Sequence, residues 1–188
     1  SPVIWPFKRK TTTETGAQYY LRDAAVADAR ALVDFKHRAW RAMYGHLKDD
    51  AFFTQAEATT GEQVKYWQAR ITKGYKIWIA EDLRDRIIGT IHATTKHSEH
   101  TAEFVELYSV GDVQEIRYFY LADDATVTIG KALLGQAVGD APAITWVSGN
   151  APLVVQSLRE AGFKELGEPV DPAVAPWHGV ARQAMVRS

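Results

Sequence analysis

The chain has 188 residues and a formal net charge of −1, with 46% hydrophobic and 24% charged residues, which is enough for one substantial hydrophobic core. A charge so close to zero argues against a general nucleic-acid-binding surface or a polybasic membrane patch. The sequence has no cysteine, which excludes disulfides and cysteine-based metal sites, and no apolar run approaches the roughly 20 residues of a membrane span. The expected location is the cytoplasm.

The first residues are expected to lie outside the core. The stretch KRKTTTETGA is polar and has the composition of a linker. We therefore expect residues 1–17 to form a flexible leader and residues 18–188 to form a single domain.

The domain is expected to open with a strand followed by helices. Gln18–Arg22 is short and aromatic, which favours a strand, and Asp23 is placed to cap the helix that follows. Gly45 is a stop signal for that helix. Thr60 and Gln63 have the spacing of a capping box, so a further helix is expected to begin there.

The middle of the chain predicts a β-hairpin. Lys76–Ala80 and Ile87–Thr94 are apolar runs joined by a short polar segment, EDLRDR. Residues 95–113 are polar and ambiguous, with FVELY at 104–108 as a possible strand.

In the second half, strands alternate with helices. The predicted elements are a strand at Glu115–Leu121, a helix at Thr126–Val138, a strand at Ala143–Val147, a helix over 151–161 and a last strand near Val180–Val186. Alternation of this kind implies parallel crossover pairing, whereas the hairpin implies antiparallel pairing. A mixed sheet with helices on both faces is the expected result.

Three segments carry a resemblance to a known family. They are HRAWRAMYGHLKDDAFF (37–53), EIRYFYLADDATVTIGKALL (115–134), and Asn150 with the later REAGF (159–163). Together, and in this order, they resemble the GNAT superfamily of N-acetyltransferases, over nearly the whole chain from about Gln18 to Val186. The second segment is similar to the place where the family's central strand meets its pyrophosphate loop.

The resemblance implies an α/β (α+β) fold, with a mixed, mainly antiparallel central sheet of about six to seven strands and helices on both faces. It also implies that acetyl-CoA is the acyl donor and that an amine attacks it directly. A mechanism without a covalent acyl-enzyme agrees with the absence of cysteine.

The expected cofactor site is the strand–turn–helix of the second segment. Such a turn aims backbone N–H groups and the positive end of a helix at one point, which suits an anionic phosphate. The residues expected to hold the cofactor are Tyr120, Leu121, Ala122, Ala125, Thr126, Val127, Thr128, Ile129, Gly130, Lys131 and Asn150. In the family's loop pattern only Gly130 keeps its type, whereas Ala125 and Thr128 occupy the other two positions. A threonine hydroxyl, from Thr126 or Thr128, can donate to phosphate where a glycine is missing.

The family's usual tyrosine acid is replaced by Leu158. Either Tyr118, Tyr120 or water then protonates the departing thiolate, or the acid is dispensable. Glu115, at the head of the central strand, is the first candidate for the base that deprotonates the amine, acting through water, and His92 is the second. For each of them a purely structural role is the alternative.

The aromatic residues expected to line the acceptor cleft are Trp40, Tyr44 and Phe52. The segment 95–113 is expected to overhang this cleft. Asp49 and Asp50 would attract a cationic amine or simply cap a helix. His97 and His100 do not have the ligand set of a metal site and are interpreted as part of a solvated loop.

Two functions remain open at this point. The first is an N-acetyltransferase acting on a primary amine of a small molecule or protein, as a monomer or homodimer. The second is a catalytically inactive domain of the same fold that binds or regulates. The sequence predicts neither a nucleic-acid partner nor a bound metal.

Overall fold

The computed structural model describes residues 9–12 and 18–188. Within these residues lie eight strands: β1 Arg9–Thr12, β2 Gln18–Asp23, β3 Ile77–Glu81, β4 Ile87–Thr94, β5 Gln114–Leu121, β6 Ala143–Ser148, β7 Lys164–Val170 and β8 Arg182–Arg187. The same ranges contain six α-helices: α1 Ala29–Tyr44, α2 Asp50–Ala58, α3 Thr60–Thr72, α4 Glu99–Leu107, α5 Val127–Val138 and α6 Pro152–Glu160. The rest of the expected leader lies outside the described residues, so the flexible leader and the domain limits stay predictions.

The strands of the described chain form one sheet in the order β1-β2-β3-β4-β5-β6-β8-β7. All neighbours are antiparallel except β5 and β6, which are parallel. The predicted mixed, mainly antiparallel sheet is thus confirmed. The parallel pairing expected across the second half holds only for β5 and β6, because β7 and β8 form an antiparallel pair at the end of the sheet. The sequence reading had included neither β1 nor β7.

Helices cover both faces of the sheet, as predicted. On one face α5 and α6 pack against each other and against the central strands, and Leu133 and Leu134 of α5 are fully buried there. Full burial of one such side chain contributes roughly 1.5–3 kcal/mol. On the other face Leu32 of α1 packs on Ile77 and Ile79 of β3, with α3 beside it.

The segment 95–113 forms a helix where a strand had been considered. FVELY belongs to α4, so the possible strand at 104–108 is wrong. Thr101 and Phe104, three residues apart, form the buried face of this helix, as a 3.6-residue period requires. Phe104 packs edge-on against Trp146 of β6, with ring centroids 4.9 Å apart. Packing against β6 overrides the strand preference of these five residues.

Two smaller expectations also change. Asp23 does not cap the following helix, because it ends β2 and binds Lys76 at 2.7 Å. The acidic residue at that helix start is Asp28, which accepts from the amide of Ala25 and pairs with Arg22. Strand β7 contains Pro169, and a proline is tolerated there because β7 is the last strand of the described sheet.

The central strands diverge halfway along β5. The pairing of β5 with β6 ends at Ile116, opposite Thr145. On its other side β5 has a bulge: Ala93 of β4 is opposite Ile116 and His92 is opposite Tyr118, which leaves Arg117 as the extra residue. A bulge bends a strand and increases its twist. From Arg117 onward, therefore, β5 separates from β6 and opens a cleft in the sheet.

Candidate functional site

The cleft between the diverging strands has a volume of about 640 Å³. Residues from the second half of β5 and from β6 form its floor, and residues from α1, the start of α6 and the segment 172–182 form its walls. A volume of this order is typical of small-molecule sites. The β5 backbone edge that faces the cleft has no partner strand beyond Ile116, so its polar groups are available to a ligand.

Aromatic rings form the wall on the side of α1. Trp40 and Tyr44 line the cleft, together with Trp177 from the segment before β8. Trp177 lies edge-on to Trp40 at 4.9 Å and to Tyr44 at 5.4 Å. Phe52 lies behind them, buried and 5.3 Å from Trp177. The structure thus brings the three predicted aromatic residues together and adds Trp177, which the sequence reading had not singled out.

Two tyrosines of β5 also face the cleft. Tyr118 and Tyr120 line it, and the Tyr120 hydroxyl accepts a hydrogen bond from Trp40 Nε1 at 3.1 Å. Burial raises the pKa of both phenols far above the ordinary tyrosine value. Both therefore stay protonated at neutral pH and are weaker acids than a free tyrosine. Tyr120 and Leu121 pair regularly with β4, and the bulge of β5 lies at Arg117.

Glu115 is held by hydroxyl and amide donors. Its carboxylate accepts from the Ser98 amide at 2.7 Å, from the Ser98 hydroxyl at 3.0 Å and from the Thr101 hydroxyl at 2.8 Å. Arg117 lies 3.5 Å away. The side chain lines the cleft but is only 4% exposed. This carboxylate fixes the start of α4 to β5, because its lone pairs already accept from donors of that helix start.

His92 lies outside the cleft lining. It is 3% exposed, and its Nδ1 is 2.7 Å from the carbonyl oxygen of Lys76. Tyr75 stacks on the ring at 5.4 Å and Trp67 lies edge-on at 6.2 Å. Burial, more than any charge, lowers the pKa of His92. These contacts support the structural role that the sequence reading had kept as the alternative for this residue.

Three basic side chains in the cleft lining had not been recognised from sequence as site residues. His100 of α4, Arg117 and Arg182 all line it, beside Trp146. His100 is exposed as a whole, but the partial desolvation of its ring at the cleft wall lowers its pKa below the usual value, and the nearby Arg182 guanidinium lowers it further. His100 is thus a neutral imidazole at pH 7. The sequence signal was present for His100, which had been weighed only as a metal ligand.

The predicted phosphate loop is built around the start of α5. Thr126 is the N-cap, and its hydroxyl accepts from the Ile129 amide at 3.3 Å. The amides of Val127 and Thr128 make no hydrogen bond to any described residue. Such open amides at the first turn are the usual anion ligands of a helix N-terminus. Burial of the Ala125 side chain and the Ala125 amide bond to the Ala122 carbonyl shape the preceding turn.

The same loop carries two carboxylates, Asp123 and Asp124, which are both exposed. Their charge opposes that of a diphosphate bound at the helix start. Lys131, one turn into the helix, lies 3.6 Å from Glu160 of α6. The local charge of this loop therefore weakens the attraction that its backbone provides.

Gly130 has a packing role in the structure. A Cβ at this position would lie 2.0 Å from the Ser157 hydroxyl oxygen and 2.8 Å from Ser157 Cβ, so only glycine lets α5 approach α6 this closely. The Ser157 hydroxyl donates to the Leu153 carbonyl at 2.7 Å, and Leu158 is fully buried. Neither residue presents a proton donor to the cleft.

The turn after β6 is attached to the end of α1. The Asn150 amide donates to the Met43 carbonyl at 2.9 Å, and Tyr44 Oη lies 2.7 Å from Ser148 Oγ. Gly149 has φ +65°, and a Cβ there would lie 2.5 Å from the same Met43 oxygen. The Asn150 side chain is exposed, and its predicted contact with the cofactor stays a prediction.

Asp49 and Asp50 do not reach the cleft lining. Asp49 caps α2 by accepting from the Phe52 amide at 3.2 Å. In the described chain no group of three or more histidine, aspartate or glutamate side chains is arranged to bind a metal. None of the helices in the described ranges is both long and apolar enough to cross a bilayer.

No family model and no curated protein sequence matches the chain. Solved structures do match it. A GNAT superfamily phosphinothricin acetyltransferase from Sinorhizobium meliloti, in complex with acetyl-CoA, superposes with a TM-score of 0.59 at 22% identity, over 90% of this chain and 87% of that one. The PaiA N-acetyltransferase from Thermoplasma acidophilum, in complex with coenzyme A, gives 0.58 at 14% identity, over 90% and 98%.

A GNAT family acetyltransferase from Streptococcus pneumoniae gives a TM-score of 0.57 at 14% identity, again over 90% of this chain and 98% of that one. Identities this low show the architecture and leave the chemistry to the residues of the site. The chain therefore has the fold of the GNAT superfamily of acetyltransferases.

Proposed function

We propose that the chain is an N-acetyltransferase that moves an acetyl group from acetyl-CoA to a primary amine of a small molecule or protein. One observation carries the proposal: the sheet opens from Arg117 onward into a cleft of about 640 Å³. The cleft places an unpaired strand edge next to an aromatic wall. A thioester can lie along such an edge, and an amine can approach it from the aromatic side.

The donor site fits acetyl-CoA through its backbone. The open amides of Val127 and Thr128 would hold the diphosphate at the start of α5. Thr126 still has its hydroxyl proton to donate, because in the structure its oxygen acts as an acceptor. Bound there, acetyl-CoA would supply an activated acetyl group. The free edge of β5 and the bulge at Arg117 would orient the reactive carbonyl and polarise its oxygen.

The acceptor amine must be neutral when it attacks. Of the groups considered as its base, His100 combines a place in the cleft lining with a neutral ring at pH 7. Glu115 is engaged by the donors of α4, and His92 is absent from the lining. We therefore assign to His100 the removal of the amine proton, directly or through one water. Glu115 then acts as a positioning residue that holds α4.

The bonds change in one direct displacement. The amine lone pair forms the C–N bond, the C–S bond breaks, and the amine proton passes to His100. The departing thiolate must recover one proton. Leu158 has none to give, and the phenol of Tyr120 is held back by its raised pKa, so the proton that His100 took from the amine passes through water to the thiolate, which also restores the neutral imidazole.

Calorimetry with acetyl-CoA tests the donor site directly. We expect saturable binding of acetyl-CoA to the full chain, followed by release of free thiol when a panel of primary amines is added. No measurable heat at millimolar acetyl-CoA would refute the proposal.

A catalytically inactive binding domain is the second candidate. Two observations favour it: Leu158 occupies the position of the family's acid, and Asp123 and Asp124 lie beside the phosphate loop. Binding of acetyl-CoA without thiol release across the amine panel would identify this second function.

A further inference from the structure

The acceptor end of the cleft contains a cation without a counter-charge. Arg182, the first residue of β8, lines the cleft. Its backbone pairs within the sheet, but among the described residues its side chain makes no hydrogen bond or ion pair, and its guanidinium carbon lies 6.0 Å from the centre of the Trp146 ring. A guanidinium held at the wall of a cleft is a ready partner for a planar anion.

The other charges of the cleft do not neutralise Arg182. Glu115 is the one carboxylate among the described residues that line the cleft, and Ser98, Thr101 and Arg117 already engage it. His100 beside Arg182 is neutral at pH 7. The lining therefore carries an excess of positive charge.

Arg117 adds to this excess. Its side chain is 38% exposed and its guanidinium lies at the edge of Glu115, 3.5 Å from the carboxylate. It belongs to the bulge where the cleft begins. The Trp146 ring provides an apolar surface beside Arg182, and the Trp177 ring lines the same cleft on the side of α1.

We propose that the acceptor is an amine that also carries a carboxylate, and that Arg182, assisted by Arg117, binds the carboxylate. The indole rings of Trp146 and Trp177 then hold the apolar remainder of the acceptor. This assignment rests on the proposed acetyl transfer. It reverses the sequence-based idea that Asp49 and Asp50 attract a cationic acceptor, because neither of them lines the cleft.

Two matched probes test the carboxylate site without using the donor. N-acetyl-L-tryptophan and N-acetyl-L-tryptophanamide differ only in that the second has a neutral amide in place of the carboxylate. By calorimetry, with no acetyl-CoA present, we expect the carboxylate probe to bind at least about tenfold tighter, since hydrogen bonds to charged groups are worth a factor of this order. Equal binding of the two probes, or binding of neither, would overturn the proposal.

Variants connect the difference to Arg182. Arg182→Gln is expected to remove the preference for the carboxylate, and Arg182→Lys to keep part of it, because lysine retains the charge but loses the planar fork. Arg84→Gln is the matched control, since Arg84 is exposed in the turn between β3 and β4. A preference that survives Arg182→Gln would assign the site elsewhere and refute this role for Arg182.

The experiment remains decisive if Arg182→Gln does not fold. In the unmodified chain, raising the salt concentration should weaken binding of the carboxylate probe and leave the amide probe unaffected. An identical response of both probes would contradict an anion site. Failure of the proposed acetyl transfer would appear separately, as absence of acetyl-CoA binding, while this probe comparison still gives a result.

Discussion

The two parts of the proposed site are built by different means. At the proposed donor site, at the start of α5 and outside the cleft lining, the ligand groups would be the backbone amides of Val127 and Thr128, and the side chains around them depart from the family pattern. At the proposed acceptor site, within the cleft, the groups would be side chains, above all His100 and Arg182. A backbone site tolerates substitution because the helix start provides it whatever the side chains are. A side-chain site changes its ligand when one residue changes, so we expect the acceptor end to define what this chain acts on.

The largest expected effect is at the acceptor end. Replacing His100 by glutamine should lower kcat by about 100-fold, the lower end of the range for a general base, with acetyl-CoA binding unchanged. Because burial and Arg182 lower the pKa of His100, its neutral form persists below pH 6.5. On the acidic side of the kcat/KM profile against pH, protonation of His100 removes the base. Because its pKa is lowered, this fall in activity should occur only at more acidic pH. Steady-state kinetics between pH 5 and 9 would measure both.

Glu115→Gln is the comparison for that variant. It should lower stability, since an amide cannot accept from all the donors that hold the carboxylate. A loss of kcat in Glu115→Gln larger than in His100→Gln, at unchanged melting temperature, would return the role of base to Glu115.

The next effect is at the donor end and uses proline to remove one amide. Val127→Pro should weaken acetyl-CoA binding about tenfold, the value of one hydrogen bond to a charged group. Position 127 is the first residue of α5, where proline is accepted. Thr126 before it has φ −131° and ψ 162°, the extended conformation that a following proline requires. The measurement is calorimetry with acetyl-CoA.

Val127→Ala is the control for this variant, since it removes the same side chain and keeps the N–H. Equal affinities in Val127→Pro and Val127→Ala would show that the backbone at this position does not bind the diphosphate.

A third effect, of similar size in free energy, separates packing from binding within α5. Gly130→Ala should destabilise the fold by about 1–2 kcal/mol. The clash of the new methyl group with Ser157 destabilises the fold by more than the higher helix propensity of alanine stabilises it. Gly135→Ala in the same helix meets nothing within 4 Å and should stabilise it by up to about 1 kcal/mol. Thermal unfolding measures both. An unchanged melting temperature in Gly130→Ala would mean that α5 and α6 can separate at little cost.

The smallest effect tests the charge of the phosphate loop. Exchanging Asp123 and Asp124 together for asparagine should tighten acetyl-CoA binding about two- to fivefold at low salt, the size expected for exposed charges. The gain should disappear at high salt because these carboxylates are screened. Weaker binding in this variant would mean that the two aspartates contact the ligand favourably.

The sequence predicted those elements of the fold whose apolar residues recur with a clear helical or strand periodicity. The strands β2 to β6 and the helices α1, α3, α5 and α6 follow from alternating or 3.6-residue patterns and from their stop signals. Helix α4 was missed because the packing of Phe104 on Trp146 is a long-range contact, invisible in a five-residue run. Strand β7 was missed because Pro169 weakens its pattern.

The candidate site could be predicted only in part, for the same reason. Trp40 and Tyr44 belong to a local motif, and the structure places both at the cleft. Trp177 comes from a proline-rich segment without periodicity, and Arg182 begins β8; only the fold brings the first to α1 and the second to β6. Glu115 could be located but not interpreted, because its partners Ser98 and Thr101 come from a helix that the sequence did not predict.

The attachment of the turn after β6 to the last residues of α1 limits how this rim of the cleft can move. Gly149 is wedged against Met43, and Ser148 and Asn150 are bonded on either side of it. That rim can move outward only if all three contacts break. The stretch before β8 is likewise held near the end of α1, where Lys48 donates to the His178 carbonyl at 2.8 Å. A larger residue at position 149 would therefore push the turn away from Met43. We expect such a residue to alter turnover without contacting either reactant.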